Sequence, residues 1–184
     1  HRFAIAKKLT ILGNTDLHNL SAYEYNTFGD GHRPMTLVFA RERTPKGIKD
    51  ALMDRRTAVW SGDTLIGESR FLEPLFARSM TASAGRIELT PGGRAVFTLS
   101  NSTDVPVILE RAGIANPDTV IEAPRQVKVP AHQSAVVQVR AKAGQPAGSR
   151  TVKLAYRVTN FLVAPDRGLD VTLPVEIVVR AAKQ

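Results

Sequence analysis

From residue 81 onward, apolar and polar residues alternate with the two-residue period of a β-strand. The pattern is cleanest near the C-terminus, in the apolar series Val171, Leu173, Val175, Ile177 and Val179. Successive strand side chains point to opposite faces, so such a strand buries one face and solvates the other. Turn signals separate similar short runs at 81–89, 94–100, 105–110, 118–122, 125–129, 134–141, 150–159 and 169–180. Strands at this close spacing predict an antiparallel β-sandwich of immunoglobulin-like type over 81–184.

Residues 1–80 have a different pattern, in which short apolar runs alternate with stretches of helical periodicity. The predicted elements are buried strands of a parallel sheet at 9–12, 35–40 and 57–60, an extended piece at 64–67, helices at 45–55 and 68–78, and a surface loop at 19–34. Thr44 provides an N-cap for the first of these helices, and Pro45 occupies its first position. We therefore expect an α+β chain in two parts, an α/β segment over 1–80 and the sandwich over 81–184.

Composition narrows the classes of partner. The chain has no cysteine, which excludes disulfides, thiolate metal sites and cysteine nucleophiles. A formal net charge of +8 favours anionic partners such as phosphate esters, nucleic acid or acidic lipid surfaces. Only 6% of the residues are aromatic and the basic residues are dispersed, which disfavours nucleic acid. Since no run approaches the ~18 apolar residues of a membrane span, we expect none.

Asp16 and His18 are the best candidates for chemistry. They follow directly after the predicted strand at 9–12, where α/β folds keep their sites. On an extended backbone, residues two apart point the same way, so a carboxylate and an imidazole would converge. This pair suits Zn²⁺, Mn²⁺ or Fe²⁺. The structural alternative is an aspartate that caps a turn beside a surface histidine.

Four segments, in order and spacing, resemble the closing part of the PHP (polymerase and histidinol phosphatase) family, most closely its phosphodiesterase-like branch: Leu9–His18, His32–Ala40, Ala51–Trp60 and Leu65–Gly67. The resemblance implies that 1–80 is the C-terminal portion of a distorted (β/α)7 barrel that carries two or three divalent metals, Mn, Fe or Zn. It implies that Asp16 and His18 are metal ligands, and that the complete enzyme hydrolyses phosphate esters, phosphodiesters in particular, with a metal-activated water. Thr15 stands where the family more often has serine.

The early metal ligands of that family, including an N-terminal H-x-H, have no counterpart here. The chain has only four histidines: His1, His18, His32 and His132. We therefore expect this chain alone to be inactive and assign it no catalytic residue. The first residues read as the middle of a helix, which indicates a cut end. We expect a missing N-terminal segment or a partner chain to complete the barrel against 9–12 and 35–40.

His32 and Arg33 are candidate substrate-binding residues, because an arginine fork suits a phosphate group. The alternative is a solvated loop pair. Tyr23 and Tyr25 are candidates for the mouth of the same pocket.

Other polar or aromatic features have structural readings. Arg55 and Arg56 are expected to complement a helix end, Trp60 to pack in a core or interface, and His132 to lie in a turn. The turn Asn101–Asp104 has too few carboxylates for a Ca²⁺ site.

A second reading of the whole chain is a non-catalytic interaction module, with a degenerate α/β segment and a sandwich that binds a partner. Sandwich modules of this kind are frequent in exported proteins, which favours a periplasmic or secreted location.

Overall fold

The computed structural model describes residues 2–20, 24–25, 31–111, 120–144 and 148–181. The chain divides into two compact units, each discontinuous in sequence. The first unit comprises His1–Leu75 and Asn160–Leu169, and the second comprises Phe76–Thr159 and Asp170–Gln184. Within the described residues, no helix has the length and apolar character needed to cross a membrane.

The first unit is a small sheet with helices. Its elements are α1 (Arg2–Ala6), β1 (Met35–Val38), α2 (Pro45–Met53), β2 (Thr57–Ser61), β3 (Thr64–Gly67), the first part of α3 (Ser69–Ser79), and the meeting ends of β11 (Arg150–Ala164) and β12 (Arg167–Val179). β1 pairs with β2 and β2 pairs with β3, both antiparallel. β11 adds to β3 in parallel through the pairs Phe161–Leu65 and Leu162–Ile66.

The prediction of a parallel sheet with strands at 35–40 and 57–60 is therefore wrong, because the strands there, β1 and β2, are antiparallel to each other. Only Gly62 and Asp63 separate β2 from β3, and Gly62 adopts a φ of +53°. A two-residue connection can join only antiparallel neighbours, because parallel strands need a crossover of a dozen residues or more. The turn signal therefore determines the strand direction, whatever helices flank the sheet.

The strand predicted at 9–12 is also not formed: these residues have no regular secondary structure, and Leu9 and Leu12 are about half exposed. Gly13 shows where the segment lies instead, because a Cβ on it would stand 2.5 Å from Val59 Cγ1. The segment thus packs on the face of the β1–β2 pair that carries Val59. Its backbone is not aligned beside a neighbouring strand.

Three threonine hydroxyls hold the backbone around this segment. They are Thr10 Oγ1, which donates to Leu52 O (2.6 Å), Thr57 Oγ1, which donates to Ile11 O (2.8 Å), and Thr36 Oγ1, which donates to Gly13 O (3.1 Å). The Thr36 hydroxyl also accepts from the Gly13 amide at 2.9 Å. Side-chain hydroxyls therefore satisfy carbonyls that a strand would pair with backbone amides.

The ends of α2 follow from its sequence. Thr44 has extended backbone geometry and its hydroxyl accepts from the Gly47 amide at 3.0 Å, which confirms the predicted N-cap. At the other end, Arg55 adopts a left-handed φ of 58°, and Arg56 N donates to Ala51 O at 2.8 Å. This is a Schellman-type ending with arginine where glycine is usual. The Arg55 side chain pairs with Glu68 at 3.2 Å.

The second unit contains two sheets. Its remaining elements are the end of α3, β4 (Met80–Ala82), β5 (Arg86–Leu89), β6 (Arg94–Asn101), β7 (Val107–Arg111), β8 (Ile121–Glu122), β9 (Gln126–Val129), β10 (Ser134–Ala141), and the long strands β11 and β12 outside 160–169. One sheet has the order β4–β6–β10–β8. In the other, β7 pairs with β9 and β11, and β12 pairs in parallel with β5.

The alternating pattern sets the core of this unit. In β10, Val137, Val139 and Ala141 are fully buried while the residues between them are exposed. Tyr156 in β11 and Ile177 in β12 are likewise inaccessible to solvent. Burial on alternate positions in both sheets is the arrangement of a sandwich.

Candidate functional site

Asp16 and His18 lie together on the exposed segment that follows Gly13. His18 Nε2 is 4.0 Å from Asp16 Oδ1, and both side chains are largely exposed. His18 Nδ1 lies 2.8 Å from the main-chain oxygen of Asp16. A carbonyl oxygen only accepts, so this contact is a hydrogen bond when the proton is on Nδ1. In neutral histidine, that tautomer leaves the Nε2 lone pair free beside the carboxylate.

Glu24, in the described pair 24–25, supports this segment through a contact that the local sequence pattern does not predict. Its Oε1 accepts from the amides of His18 (3.2 Å) and Asn19 (2.9 Å). Two backbone donors on one carboxylate oxygen fix the course of the chain at His18. The only sequence signal was an acidic residue six positions after His18, in a stretch of otherwise uncharged side chains.

A divalent metal, which the PHP resemblance implies, can be tested against these atoms. Two metal–ligand bonds of about 2.2 Å span at most about 4.4 Å. The 4.0 Å between His18 Nε2 and Asp16 Oδ1 falls within that limit. A carboxylate oxygen and an imidazole nitrogen whose other nitrogen faces a carbonyl are suitable donors. Across the described ranges, however, no three His, Asp or Glu residues cluster closely enough to hold an ion, so the fit covers two ligands.

The described contacts of His32 are with residues other than Asp16 and His18. Its ring centroid is 4.0 Å from that of Trp60, and its Nε2 is 3.2 Å from Gly62 O. Its Nδ1 is 2.8 Å from Arg33 O. The Trp60 indole also donates to Gly62 O at 2.7 Å. The rings of His32 and Trp60 therefore both contact the β2–β3 turn. Trp60 is half-buried, and the Arg33 side chain is exposed.

Tyr25 lies in the described pair 24–25 and is half-buried. Tyr23, His1 and much of the predicted loop 19–34 lie outside the described residues, as do positions 118–119 of a predicted strand.

In the turn at Asn101, the side-chain amide of Asn101 has its hydrogen-bond partners within the protein. Asn101 is buried, and its Nδ2 donates to Val105 O at 2.8 Å and to Pro130 O at 3.2 Å. Its Oδ1 accepts from both the amide (3.0 Å) and the hydroxyl (2.8 Å) of Thr103. The polar atoms of Asn101 thus hold two turns together.

His132 lies in one of those turns, with a φ of 53°, and its Nε2 is 2.7 Å from Asp104 Oδ1. Both side chains are exposed, so this hydrogen-bond contact between an imidazole and a carboxylate is a surface contact of small energy.

Known proteins give three further findings. A solved two-domain protein from Bacteroides vulgatus, described as containing a predicted PHP-like metal-dependent phosphoesterase, is 30% identical over 93% of this chain, with a TM-score of 0.80. This chain spans 47% of that protein. Weaker likenesses include the E. coli chaperone DraB, at 17% identity over 56% of this chain and 55% of that one, with a TM-score of 0.39. No curated protein matches the chain.

The first similarity supports the relationship to PHP-like phosphoesterases that the sequence indicated. The model of a protein family described as an Ig-like domain matches residues 80–174. This match confirms the immunoglobulin-like sandwich predicted for the second part of the chain. Through these residues, the chain belongs to that family of Ig-like domains.

Proposed function

We propose that this chain is the C-terminal portion of a PHP-type metal-dependent phosphoesterase that hydrolyses phosphate esters, phosphodiesters in particular. The observation that carries the proposal is the similarity, over 93% of this chain, to a protein described as containing a predicted PHP-like metal-dependent phosphoesterase. Residues 1–80 then contain the closing segment of the PHP barrel, and the antiparallel strands β1, β2 and β3 are not among its parallel strands. The Ig-like domain follows it, and a periplasmic or secreted location suits such an architecture.

In this proposal Asp16 and His18 are two ligands of a divalent ion, Mn, Fe or Zn. The ion, when bound, lowers the pKa of a water and polarises the phosphoryl group. The chain supplies the positions of the donors. The carbonyl of Asp16 orients the His18 ring through Nδ1, and Glu24 holds the amides of His18 and Asn19. A ligand held in this way needs less ordering when the ion binds.

An apolar surface next to the ligand pair supports the idea that another part of the barrel covers it. Six large apolar side chains within residues 3–20 are between 39% and 70% exposed: Phe3, Ile5, Leu9, Leu12, Leu17 and Leu20. Several large apolar side chains exposed within one short stretch of chain are what a covering segment would bury. The occupant we propose is an α/β segment, in the same chain or a partner chain, that contributes the remaining His and carboxylate ligands.

His32 and Arg33 remain our proposed substrate contacts. They differ in whether an existing contact must break before they can bind a phosphate. Each ring nitrogen of His32 already faces a carbonyl oxygen, so a contact with phosphate requires one of these to be given up. The guanidinium of Arg33 is exposed and can reach a phosphate without such a loss.

One observation favours the alternative, a non-catalytic interaction module. The described residues bring together no three His, Asp or Glu side chains of the kind that hold a metal. If the covering segment lacks ligands, Asp16 and His18 bind an ion weakly and the protein is a binding module.

Metal analysis of the whole protein that carries this chain separates the two functions. We expect Mn, Fe or Zn in the purified protein and hydrolysis of bis-p-nitrophenyl phosphate. Asp16→Asn and His18→Ala should each lower metal content and activity, while His132→Ala, at an exposed histidine of the second unit, should change neither. Equal metal content in all four proteins would refute the assignment of the ligands.

A further inference from the structure

A pair of arginines faces each other on the exposed side of the β4–β6–β10–β8 sheet. Arg94 in β6 and Arg140 in β10 are directly opposite in the antiparallel register. Side chains opposite each other in such a pair lie on the same face, with Cβ atoms about 5 Å apart. Both are exposed, and the buried neighbour Ala141 in β10 confirms which face is outward. Two positive charges therefore lie side by side on neighbouring strands.

Among the described residues, no carboxylate lies within ion-pair distance of either guanidinium. Within the part of the chain that the structure describes, neither Arg94 nor Arg140 forms an ion pair or a side-chain hydrogen bond. Glu122 lies opposite Arg140 on the third strand, β8, but is not within ion-pair distance. By contrast, Arg86 and Arg180 in the same unit both pair with Glu88. Like charges directly opposite each other destabilise a sheet, so an anion between them would remove that cost.

The two arginines also line a shallow, open depression of the surface. It has a volume of about 400 Å³ and is completed by Gln138, Val139 and the connection 122–124. The amide of Gln138 adds a neutral donor on the same face as Arg140, two residues away along β10. Glu122 also lines the depression and places one negative charge on the strand next to Arg140, so the positive charge here is that of the arginine pair alone. A depression with only two cations suits a compact oxyanion better than an extended polyanion.

We propose that Arg94 and Arg140 form a binding site for a phosphate-type oxyanion, either free phosphate or the phosphate group of a monoester. Two guanidinium groups offer paired N–H donors that match the oxygens of such a group. The site lies entirely within the second unit and uses neither Asp16 nor His18. A test of this site is therefore independent of a test of the phosphoesterase proposal.

The test is a calorimetric titration of the whole chain with inorganic phosphate at low ionic strength. Arg94→Gln and Arg140→Gln should each weaken phosphate binding by about tenfold, since each removes one charged fork. Arg86→Gln, which removes one exposed positive charge from another place in the same unit, should leave binding within about twofold. The absence of saturable binding to the unsubstituted chain, or an equal loss in all three variants, would overturn the site. A second titration with phenyl phosphate separates the sources: comparable affinity assigns the site to monoesters, and exclusion assigns it to free phosphate.

Thermal unfolding of the same proteins shows whether each variant is still folded. Without phosphate, Arg94→Gln and Arg140→Gln should unfold at the same temperature as the unsubstituted chain or higher, because the repulsion is gone. With phosphate, only the unsubstituted chain and Arg86→Gln should gain stability, by mass action. A lower midpoint for either test variant without phosphate would contradict the repulsion on which the site rests.

Discussion

The hydroxyl of Thr36 satisfies both backbone polar groups of Gly13, accepting from its amide at 2.9 Å and donating to its carbonyl at 3.1 Å. Gly13 lies three residues before Asp16, so this contact anchors the segment that carries the proposed ligands. Removal of the hydroxyl leaves two part-buried backbone groups without their partner.

Thr36→Val should destabilise the protein by about 1–3 kcal/mol, because valine keeps the shape but neither hydrogen bond. Urea unfolding of the whole chain measures the change. Thr172→Val is the matched control: Thr172 is exposed in β12, and the substitution should cost less than about 0.5 kcal/mol. Equal effects at the two positions would mean that the Thr36 hydroxyl does not anchor Gly13.

Gly13→Ala should also destabilise the chain, through a clash. The added Cβ would stand 2.5 Å from Val59 Cγ1 and 3.2 Å from Met35 O, and overpacking of this kind costs about 1–3 kcal/mol. Val59→Ala in the same chain should recover part of the loss. Gly85→Ala is the control, because nothing lies within 4 Å of a Cβ there. Additive effects of Gly13→Ala and Val59→Ala would contradict the contact.

Asn101→Ala should cost about 1–3 kcal/mol, since it removes one donor from each of the Val105 and Pro130 carbonyls and the acceptor of the Thr103 amide. Chemical unfolding followed by tryptophan fluorescence and circular dichroism measures the loss. Asp104→Ala, which removes only an exposed contact with the His132 ring, should change stability little. A larger effect at Asp104 would reverse our reading of this turn.

Tyr156 should make the second unit sensitive to alkaline pH. Its hydroxyl donates to Pro124 O at 2.7 Å, and burial raises the pKa of Tyr156 above its usual value of 10.0. The fold favours the protonated phenol, so this stabilisation is complete below pH 10 and is lost as pH rises through the folded pKa. Unfolding free energies measured between pH 8 and about pH 11 should therefore fall less steeply for Tyr156→Phe. Parallel pH profiles would show that the phenol contributes nothing to the slope.

Glu24→Ala should weaken the proposed metal site without removing a ligand. Loss of the carboxylate frees the amides of His18 and Asn19, and second-shell losses of this kind lower metal affinity by about tenfold or more. Mn²⁺ titration of the whole protein measures the affinity. Glu73→Ala, at an exposed position of α3, is the control. Unchanged affinity in Glu24→Ala, with Asp16→Asn still impaired, would leave Glu24 without a positioning role.

The sequence predicted most reliably those features that short stretches of chain determine by themselves. Thr44 and Pro45 begin α2, and the alternation from Val171 to Val179 forms β12. The spacing of Asp16 and His18 predicted that their side chains converge, and His18 Nε2 lies 4.0 Å from Asp16 Oδ1. Each of these depends on neighbours within a few residues.

Features that depend on distant partners were mispredicted or missed. The run Leu9–Leu12 has a strand-like composition, but hydroxyls at Thr36 and Thr57 take the roles that a neighbouring strand would have. Likewise, nothing in the local pattern places Arg94 opposite Arg140, because the register of two strands depends on the whole sheet.

The long strand β11 carries a consequence for the ancestry of this protein. Residues 160–169 belong to the first unit, where Phe161 pairs with Leu65 and is fully buried, while the chain on either side of them belongs to the second. A gene fusion that took only residues 1–75 would lose that strand, and one that took only the remainder would expose Phe161. A recombination event that transferred either unit as one continuous stretch of the gene would therefore cut into the other.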